Sequence, residues 1–456
     1  MMDNVEERRN VLWMDCKKDE AGAKMLGGEP VRALNMCALL SAFVFAFILF
    51  AVIPVSAHST IHKAESNNQF TLQIYGNANE DDTIDMRDVT YIKLVIFGKK
   101  PSTKFCDANY DGRVSMLDVV QTKLIIVGKE GELTIVDSAN RTVTTHKPIK
   151  RLVCTLAHHV EALRILKVSK DIIVGVPSNL DPDFFSEFSD VTGVGDMPWN
   201  PDIEIILAQN PDVVILPSCP GPYGYTADEE TEHLESAGVT VLRFCFNQLE
   251  TFPEELKKIG YVFGKKEEAD EFIDWYEDVV NSIEEKTSGI SEAERPKVYC
   301  EWLPYQISVA DDDIIAAAGG KDIYEGLNGE ISAEDVMYKD PEIIIRPVWQ
   351  GETGYGLNPD DTNRLEGVRK EIIERLPTVT AVKEGKVYLI SSQLWTYLPG
   401  SGCRQFIGLC YLAKWFHPEL FKDLDPKAIH QEYLTRFQGL DIDLDKQGVF
   451  VYPELS

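Results

Sequence analysis

The chain has few positively charged side chains compared with its acidic ones. Its 456 residues contain 45 Lys and Arg against 74 Asp and Glu, a formal net charge of −29, and no Lys/Arg-rich block offsets this balance. Because a phosphate backbone would be repelled, a nucleic-acid binder that works through its overall field is excluded. The 44% hydrophobic content excludes a disordered acidic tail protein, and the length predicts about two to four domains.

Cysteine patterns and catalytic signatures are also missing. Nine cysteines are present, but none belongs to a C-x-x-C pair. Their spacing indicates neither a disulfide framework nor a zinc site, and we expect most to be small buried side chains. The chain contains no Gly-rich phosphate loop, no G-x-S-x-G and no convergent acid/base pair, so we interpret it as a non-enzyme. The seven cysteines beyond the N-terminal region are Cys106, Cys154, Cys219, Cys245, Cys300, Cys403 and Cys410.

One long hydrophobic run is present. Residues 33–57 carry no charged side chain, and this length suffices for a membrane-spanning helix. The run ends in Val55-Ser56-Ala57, a small-residue pattern that a signal peptidase accepts. Residues 1–57 are therefore predicted to be a polar leader followed by either a signal peptide or a membrane anchor. Nearly all of the negative charge lies beyond Ala57, which predicts an extracytoplasmic location, secreted or at the cell surface.

A duplicated segment follows, with a period of 30 residues. Oxygen-bearing side chains recur at positions 1, 3, 5, 9 and 12 of both copies, the offsets of an EF-hand-type calcium loop. Position 8 is apolar in both (Ile84 and Val114), which predicts that the loops pair back to back. The loop positions expected to form the metal sites are Asn77, Asn79, Asp81, Thr83, Asp85 and Asp88 in the first copy, and Asp107, Asn109, Asp111, Arg113, Ser115 and Asp118 in the second.

The duplicated segment resembles a dockerin. Aspartate stands at position 12, no helix pattern precedes either loop, and a helical run follows each. The resemblance implies a small all-α module over residues 70–131, two bound Ca²⁺ ions and a cohesin-domain partner. Asn77 at position 1 and Asp82 at position 6 depart from the pattern, so the first site should be weaker. An acidic, turn-rich linker is the alternative. The positions that help dockerins select a partner are Met86, Arg87, Met116 and Leu117.

The remaining chain alternates short apolar runs with amphipathic stretches. Strands at 151–155, 172–176, 213–217 and 239–244 alternate with helices, which predicts a parallel sheet in an N-terminal α/β lobe over residues 132–258. A long helix without internal Gly or Pro is expected at 265–288, and a second alternating series predicts a C-terminal lobe over 296–456. Two lobes joined by one stiff helix enclose a cleft, and the loops after the strands are expected to bind the ligand.

Several short motifs occur in the order of one family. They include Pro201-Asp-Ile-Glu204, Asn210-Pro-Asp-Val-Val-Ile215, Ser332-Ala-Glu334 and Asp340-Pro-Glu-Ile-Ile-Ile345. Through these motifs, residues 132–450 resemble the iron-siderophore/cobalamin class of ABC-transporter substrate-binding proteins. That class is the helical-backbone metal-chelate type. The resemblance implies two α/β lobes, a linking helix and delivery of a metal chelate to a membrane permease. It also implies permease docking through Glu204 and Glu334, for which capping of a helix is the competing explanation.

The predicted cleft loops contain two kinds of candidate ligand residues. Adjacent histidines after the first strand either contact the chelate or pack and cap the following helix. No further cluster points to capture of a bare metal ion, so a chelate is favoured. Several aromatic residues suggest a wall for a large, partly apolar ligand, and one arginine offers donors to an anionic chelate or forms an internal ion pair. The candidates are His158, His159, Tyr223, Tyr225, Trp302, Tyr305, Trp349, Trp395, Tyr397 and Arg404.

Three classes of function remain open at this point. The first is a binding protein for a ferric siderophore-type chelate, with a corrinoid such as cobalamin as the runner-up ligand. The second is a chelatase-like enzyme on a related bilobal fold, in which the histidine pair would act as base or ligand. The third is a scaffold or adhesion protein in which the dockerin-like module dominates.

Overall fold

The computed structural model describes residues 70–196, 200–218, 226–246, 248–349, 355–359, 362–395 and 403–454. The predicted leader and apolar segment lie outside these ranges. Among the described residues, no helix is both long and apolar enough to cross a bilayer. All of them belong to one compact unit that begins at Ser66.

Two short helices form after the two repeats. Each begins with a reciprocal cap. The side chain of Asp85 or Ser115 accepts a hydrogen bond from a helix amide, and the Asp three residues later accepts one from the main-chain N–H of that cap residue. The helices enclose a small apolar cluster that includes Val89, Ile92 and Val119. The expected loop–helix units are therefore present. Their bounds are α1, Met86–Ile96, and α2, Met116–Ile126.

The back-to-back pairing of the two loops was predicted wrongly. The main-chain N–H of Ile84 donates to the Tyr261 hydroxyl at 3.1 Å, and its side chain belongs to the main core of the molecule. Val114 instead packs against the small cluster between the helices. The two position-8 residues differ because the first loop lies against the N-terminal lobe.

A β-hairpin that the sequence did not predict joins the module to that lobe. Its strands are β1, Glu132–Val136, and β2, Thr142–His146. The Tyr75 amide donates to Thr134 O at 2.9 Å, and the Val136 amide donates to Gln73 O at 2.9 Å. The module and the lobe therefore share main-chain hydrogen bonds as well as side-chain packing.

The N-terminal lobe is built on a five-stranded parallel sheet in the order β5-β4-β3-β8-β9. This confirms the parallel sheet that the alternating pattern predicts, with boundaries within a few residues of those expected. The elements are β3, Leu152–Cys154; α3, Ala157–Ile165; β4, Ile173–Val176; β5, Thr192–Gly193; β6, Gly195–Asp196; β7, Asn200–Pro201; α4, Ile203–Ala208; β8, Val213–Pro217; α5, Asp228–Ser236; and β9, Thr240–Phe244.

Two consecutive helices connect the lobes. The first is α6, Phe252–Phe263, which ends at Gly264 in the left-handed conformation (φ +65°), where glycine is favoured. The second is the long helix α7, Lys266–Thr287. Its apolar stripe is buried, from Ala269 and Phe272 to Ile283. The linking helix is therefore confirmed.

The C-terminal lobe contains a second five-stranded sheet, in the order β12-β10-β14-β15-β16, with only β16 antiparallel. A buried core that includes α7 is shared by both lobes. The elements are β10, Lys297–Cys300; β11, Gln306–Ile307; α8, Asp312–Ala317; β12, Lys321–Asp322; β13, Gly329–Glu330; α9, Ala333–Lys339; β14, Ile343–Val348; α10, Asn363–Arg375; α11, Thr380–Lys383; β15, Val387–Ser391; α12, Gln405–Phe416; α13, Pro426–Glu432, continued by a π-helical turn, Tyr433–Phe437; and β16, Val451–Tyr452.

Candidate ligand-binding site

The histidine pair lies inside the N-terminal lobe. Helix α3 starts at Ala157, directly after β3, and both His158 and His159 are fully buried. Their rings meet edge to face with centroids 5.3 Å apart, and His159 Nε2 lies 3.1 Å from Phe244 O. Burial lowers the pKa of His159 well below its ordinary value because the charged ring would lose its hydration, and His158 adds to this effect. In this conformation both rings are part of the buried interior.

The tryptophans of the C-terminal lobe form a connected group. Indole Nε1 of Trp302, just after β10, donates to the Asp311 carboxylate at 2.9 Å, and Nε1 of Trp395 donates to the same carboxylate at 2.6 Å. The rings of Trp302 and Trp349 have centroids 5.4 Å apart. Trp395 is fully buried, whereas Trp302 and Trp349 are half-buried. The structure therefore brings together three of the predicted aromatic residues and leaves two of them with surface for a ligand.

Asp311, which was not among the predicted site residues, connects two of these tryptophans. Its side chain is fully buried and accepts hydrogen bonds from two indoles. Burial raises the pKa of Asp311 to about 6, while the hydrogen bonds from Trp395 and Trp302 favour the charged form and limit the rise. Its only local signal is a position shortly before a helix, which does not distinguish it from an ordinary capping residue.

A second buried acid, Glu301, fixes the turn that carries Tyr305. The carboxylate accepts from the Tyr299 hydroxyl at 2.8 Å and from the Tyr305 amide at 2.9 Å, and it pairs with Arg375. The Arg375 guanidinium lies over the Tyr305 ring, 4.5 Å from its centroid. Tyr305 adopts a positive φ of 64°, a conformation that these contacts stabilise. Tyr305 therefore belongs to a polar cluster beside the tryptophans.

Arg404 forms an internal ion pair, which was the alternative to contact with an anionic chelate. The guanidinium is 2% exposed, and its Nε lies 3.0 Å from Oε1 of the fully buried Glu161. Nη1 also donates to Gln393 Oε1 at 3.2 Å. The three remaining predicted ligand residues, Tyr223, Tyr225 and Tyr397, lie outside the described residues.

The two acids expected to dock a permease are exposed, one on each lobe. Glu204 lies in the first turn of α4 and Glu334 in the first turn of α9. Neighbouring residues cap these helices: Asp202 accepts from the Ile205 amide at 3.0 Å, and Ser332 accepts from the Asp335 amide at 3.1 Å. Within the described part of the chain, neither glutamate forms an ion pair. Both glutamates stand in the first turn of their helix, where an acid also favours the helix dipole, so docking and helix stabilisation remain alternatives for them.

In the first predicted calcium loop, an arginine lies close to two of the acids. Arg87 Nη2 is 3.0 Å from Asp81 Oδ2, and its Nε is 2.9 Å from Asp85 Oδ2. Asn77 is buried and donates from Nδ2 to Leu72 O and Asp81 O, while its Oδ1 lacks a hydrogen-bond donor. An orphaned buried oxygen at position 1 fits a cation ligand, but Arg87 already neutralises part of the loop.

In the second loop, none of the ion pairs formed by the described residues involves Asp107, Asp111 or Asp118. Leu117 stands where the first loop has Arg87. Asp107 accepts from the Asp111 and Gly112 amides, and the buried Asp118 accepts from Asn109 N and Ser115 N. No group of three or more His, Cys, Asp or Glu side chains placed to hold a metal ion occurs among the residues that the structure describes. Both loops would depend on amide and main-chain oxygens as well as carboxylates.

The cysteines follow the expectation with one exception. Five described cysteines are free and buried, as small hydrophobic side chains should be. Cys245, just after β9, is disulfide-bonded, and its partner lies outside the described residues. The spacing of the cysteines does not indicate this bond.

A cavity of about 470 Å³ lies elsewhere, beside α12 and α13, between segments 422–430 and 444–454. None of the predicted ligand residues lines it. The half-exposed tryptophans at the ends of the C-terminal strands remain the better candidate site, because parallel sheets bind ligands there.

Two five-stranded α/β lobes, a linking helix and aromatic side chains after the strands define the class of two-lobed solute-binding proteins. The chain belongs to the periplasmic binding protein family, because the family model described as "Periplasmic binding protein" matches residues 160–394, just over half of its length.

Solved structures agree on the fold. The TroA-like periplasmic binding protein FepB of Veillonella parvula is 22% identical, with a TM-score of 0.58 over 70% of this chain and 98% of that one. The molybdate periplasmic binding protein MolA of Haemophilus influenzae, bound to molybdate, is 20% identical, with a TM-score of 0.53 over 68% and 99%. Helicobacter pylori CeuE in a Ni–His complex is 18% identical, with a TM-score of 0.51 over 68% and 96%. No curated protein matches the sequence.

Proposed function

We propose that the protein is the extracytoplasmic solute-binding component of an ABC importer, which captures a ferric siderophore-type chelate and delivers it to a membrane permease. The observation that carries this proposal is the half-buried Trp302–Trp349 pair, which the buried Asp311 fixes through Trp302. Rigid indole faces suit a large ligand that is partly apolar. The named relatives include proteins described with a metal oxyanion and with a nickel–histidine complex, in keeping with a metal-containing ligand.

The location and the docking step have their own support. A disulfide at Cys245 is typical of a protein that works outside the reducing cytosol. Glu204 and Glu334 are exposed on separate lobes, while other residues cap their helices. Such carboxylates are available to meet basic permease side chains. We therefore retain both as the docking residues.

A thermal-shift screen of the full chain tests the ligand. Ferric hydroxamate and catecholate chelates, haem and cobalamin are compared, and one ferric chelate should raise the melting temperature clearly, because a ligand that binds only the native state stabilises it. Stabilisation by cobalamin alone would favour the corrinoid alternative. Metal insertion into a tetrapyrrole during incubation would favour the chelatase-like enzyme and end the transport proposal.

A second proposed activity belongs to the duplicated module: calcium-dependent binding of a cohesin-like protein. The observation in its favour is the concentration of exposed large apolar side chains there, which soluble surfaces usually avoid unless a partner covers them. Arg87, beside Asp81 and Asp85, makes the first loop the weaker candidate for Ca²⁺. The exposed apolar side chains are Met86, Phe97, Tyr110, Met116, Leu117, Val120 and Val127.

Calorimetry with Ca²⁺ on the full chain tests this activity. At least one binding event is expected. Asp111→Ala should remove the tighter event because it deletes a carboxylate at position 5 of the second loop. The equivalent change in the first loop, Asp81→Ala, should leave that event intact. A flat titration of the unmodified chain would exclude the calcium-binding module, with no effect on the transport proposal.

A further inference from the structure

A buried polar network connects the N-terminal lobe to residues near the C-terminal end of the chain. Glu161, on α3, is fully buried, and among the described residues the groups that pair or hydrogen-bond with its carboxylate come from beyond residue 400. Arg404 Nε lies 3.0 Å from its Oε1, the Tyr433 hydroxyl donates to Oε1 at 2.5 Å, and the Cys403 amide donates to Oε2 at 3.0 Å. One N-terminal carboxylate therefore gathers three groups from the end of the chain.

The network continues on both sides of this carboxylate. Gln438 Nε2 donates to the main-chain oxygen of Glu161 at 3.4 Å and to the Tyr433 hydroxyl at 3.0 Å. On the other side, Arg404 donates to Gln393 Oε1, and Gln393 Nε2 donates to Asp181 Oδ2 at 2.9 Å. Asp181 belongs to the N-terminal lobe. The network therefore crosses between the lobes twice, through Glu161 and through Asp181.

An ion pair in this position is costly to separate. Both members are almost completely buried, and the Arg404 guanidinium also lies over the Phe184 ring, 4.2 Å from its centroid. Removing either partner would leave a buried charge without its ion-pair partner, which is far less favourable than the intact pair. Pulling the lobes apart would break the ion pair and its hydrogen bonds. Apolar packing alone would tolerate small sliding motions, whereas directional hydrogen bonds specify one arrangement.

We propose that Glu161 and Arg404 are positioning residues that hold the two lobes at one fixed separation and orientation, and so set the width of the ligand cleft. This role rests on the proposed solute-binding function. It also gives Arg404 a task at the cleft without direct contact with the chelate.

The experiment measures lobe separation without ligand. Spin labels are introduced through unnatural amino acids at Ala208, on α4, and at Tyr338, on α9, both of which are exposed. The unmodified chain should give one narrow distance distribution. The double variant Glu161→Gln/Arg404→Gln, which neutralises both charges and keeps hydrogen-bonding groups, should give a wider distribution shifted to longer distances. Arg404→Gln alone should lower the melting temperature more than the double variant, because it leaves Glu161 as an unpaired buried charge.

The matched control is a buried ion pair that does not join the lobes. Glu130→Gln/Lys147→Gln removes the pair between residues 130 and 147, whose members are 2% and 13% exposed. It should lower stability while leaving the label distances unchanged. A folded Glu161→Gln/Arg404→Gln variant with the original distances would overturn the proposal. Because no ligand is present, that result would leave the transport function itself untouched.

Discussion

The two lobes have similar sheets but differ at the ends of their strands. In the N-terminal lobe, helix α3 starts three residues after β3, so His158 and His159 are drawn into the helix and buried. In the C-terminal lobe, β10 ends at Cys300 and the next α-helix starts only at Asp312. That longer connection leaves Trp302 half-buried beside Trp349. Among the described residues, aromatic surface for a ligand therefore follows the longer of these two connections.

The lobes also differ in how they use buried charge. Glu301 and Asp311 of the C-terminal lobe accept hydrogen bonds from residues of their own lobe, namely Tyr305 and two tryptophans. Glu161 of the N-terminal lobe instead binds residues near the C-terminal end of the chain, through an ion pair and a hydrogen bond. Within the described residues, the N-terminal lobe thus supplies a fixed support and the C-terminal lobe supplies the ligand surface.

The largest effect should come from removing an indole on the C-terminal side. Trp302→Ala should weaken binding of the ferric chelate found in the screen by about 2 kcal/mol, roughly thirtyfold, as truncation of a central aromatic contact typically does. Titration followed by intrinsic fluorescence or calorimetry measures the change. Leu303→Ala, at the exposed neighbouring position, is the control and should bind normally. Equal binding by both variants would move the ligand surface away from the C-terminal lobe.

The elements of the fold were largely predictable, because hydrophobic alternation and helical periodicity are local signals. The long helix and the strands at 213–217 and 239–244 appear within one residue of where the pattern places them. The hairpin 132–146 and the attachment of the first loop to Tyr261 were not predictable in this way. The hairpin is local in the chain and was missed, whereas the contact of Ile84 with Tyr261 joins segments 177 residues apart.

The candidate site was predictable only in part, for the same reason. Aromatic residues after strands could be recognised, and the structure groups Trp302, Trp349 and Trp395. The acids that organise them could not be recognised, since a buried aspartate and an exposed one look alike in a sequence. Asp311 and Trp395 are 84 residues apart. Arg404 was found as a residue of interest, but its partner Glu161 lies 243 positions earlier.

A smaller effect is expected from the two proposed docking acids. Changing each acid tests whether both lobes contribute equally to permease docking. Glu204→Lys and Glu334→Lys should each reduce uptake of the chelate through the intact importer about tenfold, because reversing the charge opposes a basic permease surface. Chelate affinity in solution should stay unchanged in both. Uptake of radiolabelled iron in cells measures the first quantity, and calorimetry measures the second. Loss of uptake in only one variant would assign docking to a single lobe.

A smaller effect, on stability, should follow the titration of Asp311. Its pKa is raised to about 6 in the native state, so the native protein holds the proton more tightly than the unfolded chain. The resulting stabilisation is fully present below about pH 4 and is lost as the pH rises through about 6. Asp311→Asn lacks this dependence. The melting temperature of the variant minus that of the unmodified chain should therefore increase by roughly a few degrees from pH 4.5 to pH 7.5. Asp313→Asn, at an exposed position, controls for the loss of one charge.

The smallest change in affinity is expected from the N-terminal histidines. His159→Phe keeps an aromatic ring beside Phe246, whose centroid lies 5.9 Å away, but removes the contact with Phe244 O. Because the ring is buried and neutral, chelate affinity should stay within about twofold, while the melting temperature falls through the loss of one buried hydrogen bond. Calorimetry and thermal denaturation of the same sample separate the two quantities. A loss of binding as large as that of Trp302→Ala would mean that α3 moves when the ligand binds, and that the histidines face the chelate in that state.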